Sequence, residues 1–162
     1  MANISEKDLN TKLKKMIRED PFFNRMFREY GIPINKINDE LVFRIKKMDD
    51  RFSQANNQYI DLDEKLFKDG DFFTEKMHYV VHELTHWLTR QKEQDMYFYD
   101  PEEQDAFALG MAFEILRGSN ENDIRDVFYP IIRTHFHSED NAEKLFKALF
   151  AKAVFKAKNY GR

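Results

Sequence analysis

The sequence predicts a mostly helical α+β fold in which a small antiparallel or mixed sheet packs on a long helix at 72–92. Three observations carry this. Apolar residues recur at three- and four-residue spacing through most of the chain. The period changes to two only at Leu41, Phe43 and Ile45, and again over Tyr59-Ile60-Asp61-Leu62. The chain has no repeats, low-complexity tracts or Gly/Ser linker, and 162 residues suffice for one domain with a real core.

Each element has its own signal. Leu9, Leu13 and Met16 place a helix over 5–18. A second follows at 21–30, with Asp20 as N-cap, Pro21 in the first turn and Gly31 as the stop. A strand is expected over about 40–48, a turn at Asp49-Asp50, and a second strand at Tyr59–Leu62 after Asn56-Asn57. Gly70 closes the loop before the helix at 72–92, whose core stripe is Phe73, Met77, Val80, Val81, Leu84, Trp87 and Leu88. Gln91–Tyr99 reads as a loop, and Asp100 opens a helix carrying Phe107, Leu109, Met111, Phe113 and Leu116 as far as Gly118. A helix over 122–136 is expected to break or kink at Pro130. After a turn at His135–Ser138 comes a last helix over 139–158. Residues 1–55 thus form N-terminal helices and the first strand, 57–116 the central core, and 119–162 the C-terminal helices of one domain.

Composition excludes several function classes. With no cysteine there is no disulfide, thiolate site or thiol nucleophile. Any metal is held by His, Asp and Glu, which suits Zn²⁺. Twenty-six basic and 29 acidic residues, net −3, are spread along the chain, so no nucleic-acid partner is expected. The polar start MANISEKDLNTKLKKM lacks the apolar segment of a secretory signal, and no apolar run is long enough for a membrane. A cytoplasmic location is the expectation. Sixteen phenylalanines and seven tyrosines imply an aromatic core, or an exposed aromatic surface for assembly partners.

The most informative residues are 82–86, His-Glu-Leu-Thr-His, an HExxH motif inside the 72–92 helix. Four positions apart on a helix, His82 and His86 stand one above the other and can share one tetrahedral Zn²⁺. Glu83, one residue round, can reach a metal-bound water as general base. The plain alternative is a pair of surface histidines. His78 stands one further turn back, roughly 12 Å from His86 along the axis, too far for all three to ligate one ion. It reads as a supporting or surface residue.

A catalytic zinc takes a third protein ligand. The residues after the motif, Trp87-Leu88-Thr89-Arg90-Gln91-Lys92, offer neither glycine nor a third histidine, so an acid on a later helix is needed. Glu103 is the best candidate, with Glu102, Asp105 and Asp100 in reserve. Its competing role is a helix cap, since Asp100, Pro101 and Glu103 make the aspartate form of a capping box. Tyr97, Tyr99, Arg133, His135 and His137 are possible oxyanion donors, and nothing in their spacing selects one.

HELTH followed by Glu103-Gln104-Asp105-Ala106-Phe107-Ala108 resembles the gluzincin-like metallopeptidases of the ImmA/IrrE type, and small phage- and prophage-encoded zincin-like proteins. The resemblance covers roughly 57–116. It implies a zincin-like fold, His82, His86 and Glu103 as zinc ligands, and Glu83 as general base in peptide hydrolysis. It also implies an edge strand above the cleft for strand addition by a peptide, with Tyr59–Leu62 as candidate. A phage-encoded protein would act in the host cytoplasm or the virion. The chain departs from these families in lacking a helix-turn-helix module or recognisable sensor domain. A different class of function, a structural or assembly protein keeping the fold with a structural or vestigial metal, answers to the aromatic content instead.

Overall fold

The computed structural model describes residues 4–92, 100–135 and 138–161, with backbone alone at 90–92, 100, 101 and 135. The chain begins with α1 (Glu6–Glu19), whose N-cap Ser5 accepts from the Asp8 N–H and whose Leu9, Leu13 and Ile17 are buried. Asp20 then serves two helices. Its N–H bonds the Met16 carbonyl of α1, and its side chain accepts from Phe22 N–H at the start of α2 (Pro21–Tyr30). Gly31, at φ 71°, ends α2 as the sequence predicts. A short α3 (Lys36–Glu40) leads into the sheet.

The sheet is mixed, in the order β1 (Val42–Lys46), β3 (Tyr59–Asp63), β2 (Ser53–Ala55). β1 runs parallel to β3 and β2 antiparallel to it. This corrects one expectation. Tyr59–Leu62 lies in the central strand and not at an edge; the edge beside the motif helix is β2. The polar run around Ser53-Gln54-Ala55 has no alternation to announce a strand, so β2 escapes pattern reading. β3 buries both faces. Asp61 is tolerated there because Arg44 of β1 grips it with two bonds, at 2.7 and 3.1 Å, and Asn56 adds a third at 3.1 Å.

The outer edge of β1 is covered by α1 side chains. Asn10 Oδ1 accepts from Phe43 N–H and Asn10 Nδ2 donates to the Phe43 carbonyl, both at 2.8 Å. Glu6 accepts from Ile45 N–H at 2.8 Å. Side chains thus stand in for a further strand.

After a 3-10 turn at Glu64–Phe67, the predicted 72–92 helix forms as two, α4 (Phe72–Glu75) and α5 (Met77–Lys92), because Lys76 leaves the helical region at φ −118°, ψ 5°. No glycine or proline marks that break. α5 buries Met77, Val80, Val81, Leu84, Trp87 and Leu88, whereas Phe73, on α4, is only partly buried. α6 (Asp100–Leu116) is enclosed on most sides, with Ala106, Ala108, Leu109, Met111, Ala112 and Phe113 buried and Leu116 exposed. α7 (Glu121–His135) continues through Pro130 without a break. Proline leaves the Asp126 carbonyl without its helical partner, and both residues face solvent, where water replaces the bond. α8 (Glu139–Tyr160) closes over α6 and is tied to α7 by the paired Arg125–Glu143 bonds at 2.6 and 2.8 Å. Residues 93–99, most of the expected Gln91–Tyr99 loop, lie outside the described residues, as does part of the His135–Ser138 turn. No described helix is long and apolar enough to cross a membrane.

Most of the phenylalanine goes into the core. Phe22, Phe23 and Phe113 meet ring to ring at 5.2–5.7 Å, and Tyr160 closes on Phe22 at 4.9 Å. Among the described aromatics Phe52 and Phe155 stand out as exposed.

Asn10→Ala strips both partners from Phe43 at the partly buried β1 edge. It is expected to cost about 1–3 kcal/mol. Asn10→Asp, which keeps the acceptor, is expected to lose less. Urea midpoints of the three proteins check this, and equal midpoints would mean that water replaces the side chain.

Candidate metal centre

α5 and α6 lie antiparallel at close range, and the residues that face each other define the site. On α5, His78, His82 and His86 recur every turn along one line. On α6, Glu103, Phe107 and Gly110 meet them in reverse order. Glu103 faces both His82 and His86, Phe107 packs on His82 with ring centroids 4.6 Å apart, and Gly110 lies against the His78 backbone. A β-carbon at Gly110 would touch the His78 carbonyl at 3.5 Å, so the helices already stand near contact distance there.

Glu103 therefore points at the histidines. Its Oε1 lies 2.8 Å from His82 Nε2 and its Oε2 3.2 Å from His86 Nε2, while the two Nε2 atoms are 3.3 Å apart. Burial opposes ionisation of the Glu103 carboxyl, yet its hydrogen bonds to His82 and His86 outweigh this and hold its pKa well below the ordinary range. Burial likewise opposes protonation of His86, and its bonds to Glu103 and then Glu102 outweigh it and raise its pKa. The side chain of Asp100 lies outside the described residues; the cap reading leaves this geometry of Glu103 unaccounted for.

Glu102 takes a different place from the reserve ligand that sequence suggests. It is buried, and its Oε1 lies 2.7 Å from His86 Nδ1, on the far side of the ring from Glu103. Donation from Nδ1–H to Glu102 fixes the plane of the ring, with Nε2 facing His82 and Glu103. Asp105, another reserve, pairs with Lys152 of α8. Glu83 projects to the other flank of α5, where its Oε2 accepts from Ser53 Oγ of β2 at 2.5 Å. Its charge is felt at both His86 and Arg51.

His82, His86 and Glu103 each offer one ligand atom, all within 4.8 Å of one another. Ligands about 2.0–2.1 Å from a tetrahedral zinc ion stand about 3.3 Å apart, the separation of the two Nε2 atoms, and each Nε2 has one Glu103 oxygen at 2.8 or 3.2 Å. The donor set, two imidazole nitrogens and a carboxylate oxygen, suits a borderline ion of the zinc kind.

His78 is no surface residue. It is buried, with its ring 4.3 Å from Tyr79 and 5.1 Å from Phe128 of α7, and burial pushes its pKa down to about 3. Tyr97, Tyr99, His137 and the side chain of His135 lie outside the described residues, and Arg133, half-buried on α7, gains no role from its position. Ser53 has no sequence signal, because its strand has none. Glu102 has a weak one, since a ligand histidine needs a partner at its second nitrogen and Glu102 adjoins the predicted ligand.

Comparison with protein-family models, curated proteins and solved structures finds no match.

His78 gives the fold an acid limit. Neutral in both states above about pH 6.5, it takes a proton only in the unfolded chain as pH falls toward about 3, so stability declines across that window. Between pH 7 and pH 5 this group is expected to remove about 2 kcal/mol. His78→Leu should flatten the slope by that amount in urea titrations at the two pH values; parallel losses in both proteins would acquit His78.

Proposed function

We propose that this protein is a zinc-dependent peptidase of the HExxH type that hydrolyses peptide bonds. The observation that carries the reading is the convergence of His82, His86 and Glu103 on one point, with Glu83 held on the adjoining flank. Two histidines four residues apart supply two donors on any helix. The third arrives from α6 with both its oxygens turned to them.

When bound, zinc supplies a Lewis acid that polarises the scissile carbonyl and acidifies a water. The chain's own groups do the rest. Glu83 accepts the proton of the attacking water and passes it to the leaving amine. Ser53 steadies the Glu83 carboxylate by its hydrogen bond and so limits its rotamers. Glu102 fixes the tautomer and the plane of His86. The aromatic content that motivates an assembly role goes largely into the core among the described residues. The peptidase reading is therefore preferred.

Wild-type protein reconstituted with zinc should hold about one ion per chain, and the His82→Ala, His86→Ala double variant none. Glu83→Gln should keep the ion and lower cleavage of a peptide library by about 10²–10⁴-fold. Full turnover in Glu83→Gln would remove Glu83 as the base, and absence of zinc in wild type would remove the peptidase reading. Glu102→Ala should weaken zinc binding about 10–100-fold in competition with a chromogenic chelator. An unchanged affinity would reduce Glu102 to a packing residue.

A further inference from the structure

Tyr79 stands three residues before His82 and four before Glu83, and His86 four and three after them, so the four residues share one broad side of α5. That side runs between two walls. On the α6 side stand Glu103 and, one turn on, Phe107, edge-on to His82. On the β2 side stand Ser53, bonded to Glu83, and the residue before it, Phe52, whose ring lies 5.7 Å from that of Tyr79. The His86 end of this trough is therefore polar, and the Tyr79 end aromatic.

Phe52 is 45% exposed. One exposed aromatic in isolation carries no message. Here the ring leans on the residue one turn before the general base, and its neighbour in sequence holds that base. Phe52 is thus linked to Glu83 twice, through Tyr79 on α5 and through Ser53 on β2. Tyr79 and Phe107 are each partly buried, so their rings are fixed by packing while keeping some surface open. Burial raises the pKa of Tyr79, which keeps the phenol neutral.

We infer that Phe52 and Tyr79, with Phe107 opposite, form a specificity pocket for a large apolar or aromatic side chain of the peptide substrate, next to the bond that is cut. The inference rests on the peptidase reading. A charged or small polar side chain would give up water against ring faces that return no full hydrogen bond. A phenylalanine or leucine would instead cover the exposed part of Phe52 and find aromatic partners at stacking distance.

The test uses zinc-loaded protein and four hydroxamates: acetohydroxamate as a bare metal binder, and peptide hydroxamates that differ only in carrying glycine, phenylalanine or aspartate beside the chelating group. Acetohydroxamate should bind wild type, Phe52→Ala and Phe52→Lys alike. Wild type should prefer the phenylalanine compound over glycine by about tenfold or more. Phe52→Ala should lose most of that preference, and Phe52→Lys should shift it toward an aspartate analogue. Both substitutions sit at an exposed position, so the fold should tolerate them, and unchanged acetohydroxamate binding verifies that. Equal binding of the glycine and phenylalanine compounds to wild type overturns the pocket while leaving the metal site standing. A preference that survives in Phe52→Ala also overturns it. Failure of acetohydroxamate to bind zinc-loaded wild type overturns the metal reading and the pocket with it.

Discussion

The near-contact packing of α5 against α6 is the constraint from which the site follows. Gly110 lets the two backbones approach at the His78 turn, and Ala106 adds little bulk one turn on. Helices that close can put a short carboxylate such as Glu103 between two imidazoles. A β-carbon at Gly110 would rest in ordinary contact, 3.5 Å from the His78 carbonyl and the Phe128 ring, so that the space between the helices there is already filled. α6 is held between α5 and α8, which fixes the backbone that carries Glu103. The geometry of the His82–His86–Glu103 cluster thus follows from core packing, with Trp87, Leu88, Leu109 and Ala112 all fully buried.

The sheet does for Glu83 what α6 does for the histidines. Its two edges are treated differently. β1 is closed by Asn10 and Glu6 reaching over from α1, which anchors the sheet to the N-terminal helices. β2 is turned to α5, and its Ser53 holds the carboxylate of Glu83. The parallel β1–β3 pair and the buried Arg44–Asp61 bridge make the sheet stiff enough for a three-residue strand to serve as a positioning element. The Glu83 carboxylate is therefore located by a residue 30 positions away in sequence, in a segment without any periodic signal.

Helix caps were the most legible features, because they are written in a few adjacent residues. Asp20, Pro21 and Gly31 fixed α2 to the residue, and the alternation in Leu41–Ile45 found β1. The HExxH spacing and the acid seventeen residues later were legible for a similar reason, since a helix converts sequence separation into geometry. Features set by tertiary contact were not. The break at Lys76, the strand at Ser53–Ala55 and the central place of β3 depend on what packs alongside them. So does the outward turn of Leu116, which helical spacing groups with Leu109 and Phe113. The pairing of Glu102 with His86 Nδ1 lies between the two cases. The need for such a partner is general, but which of three neighbouring acids meets it is decided by the rotation of α6.

The three histidines of α5 illustrate how far that decision reaches. His78 and His86 are equally apolar in their sequence surroundings and nearly equally buried, at 4% and 3% exposure. Burial alone would drive both to the neutral state at low pKa. It does so at His78, where α6 offers a glycine and α7 a phenylalanine. At His86 two carboxylates reverse the outcome, and the imidazole is raised where its neighbour two turns away is lowered. A buried cluster of two histidines and two acids costs stability unless its members satisfy one another. Here His86 bonds both acids and His82 bonds Glu103, while the second oxygen of Glu102 is buried without a partner among the described residues. A helix cap needs one of these residues at most. A cap role therefore leaves the rest of the set unaccounted for.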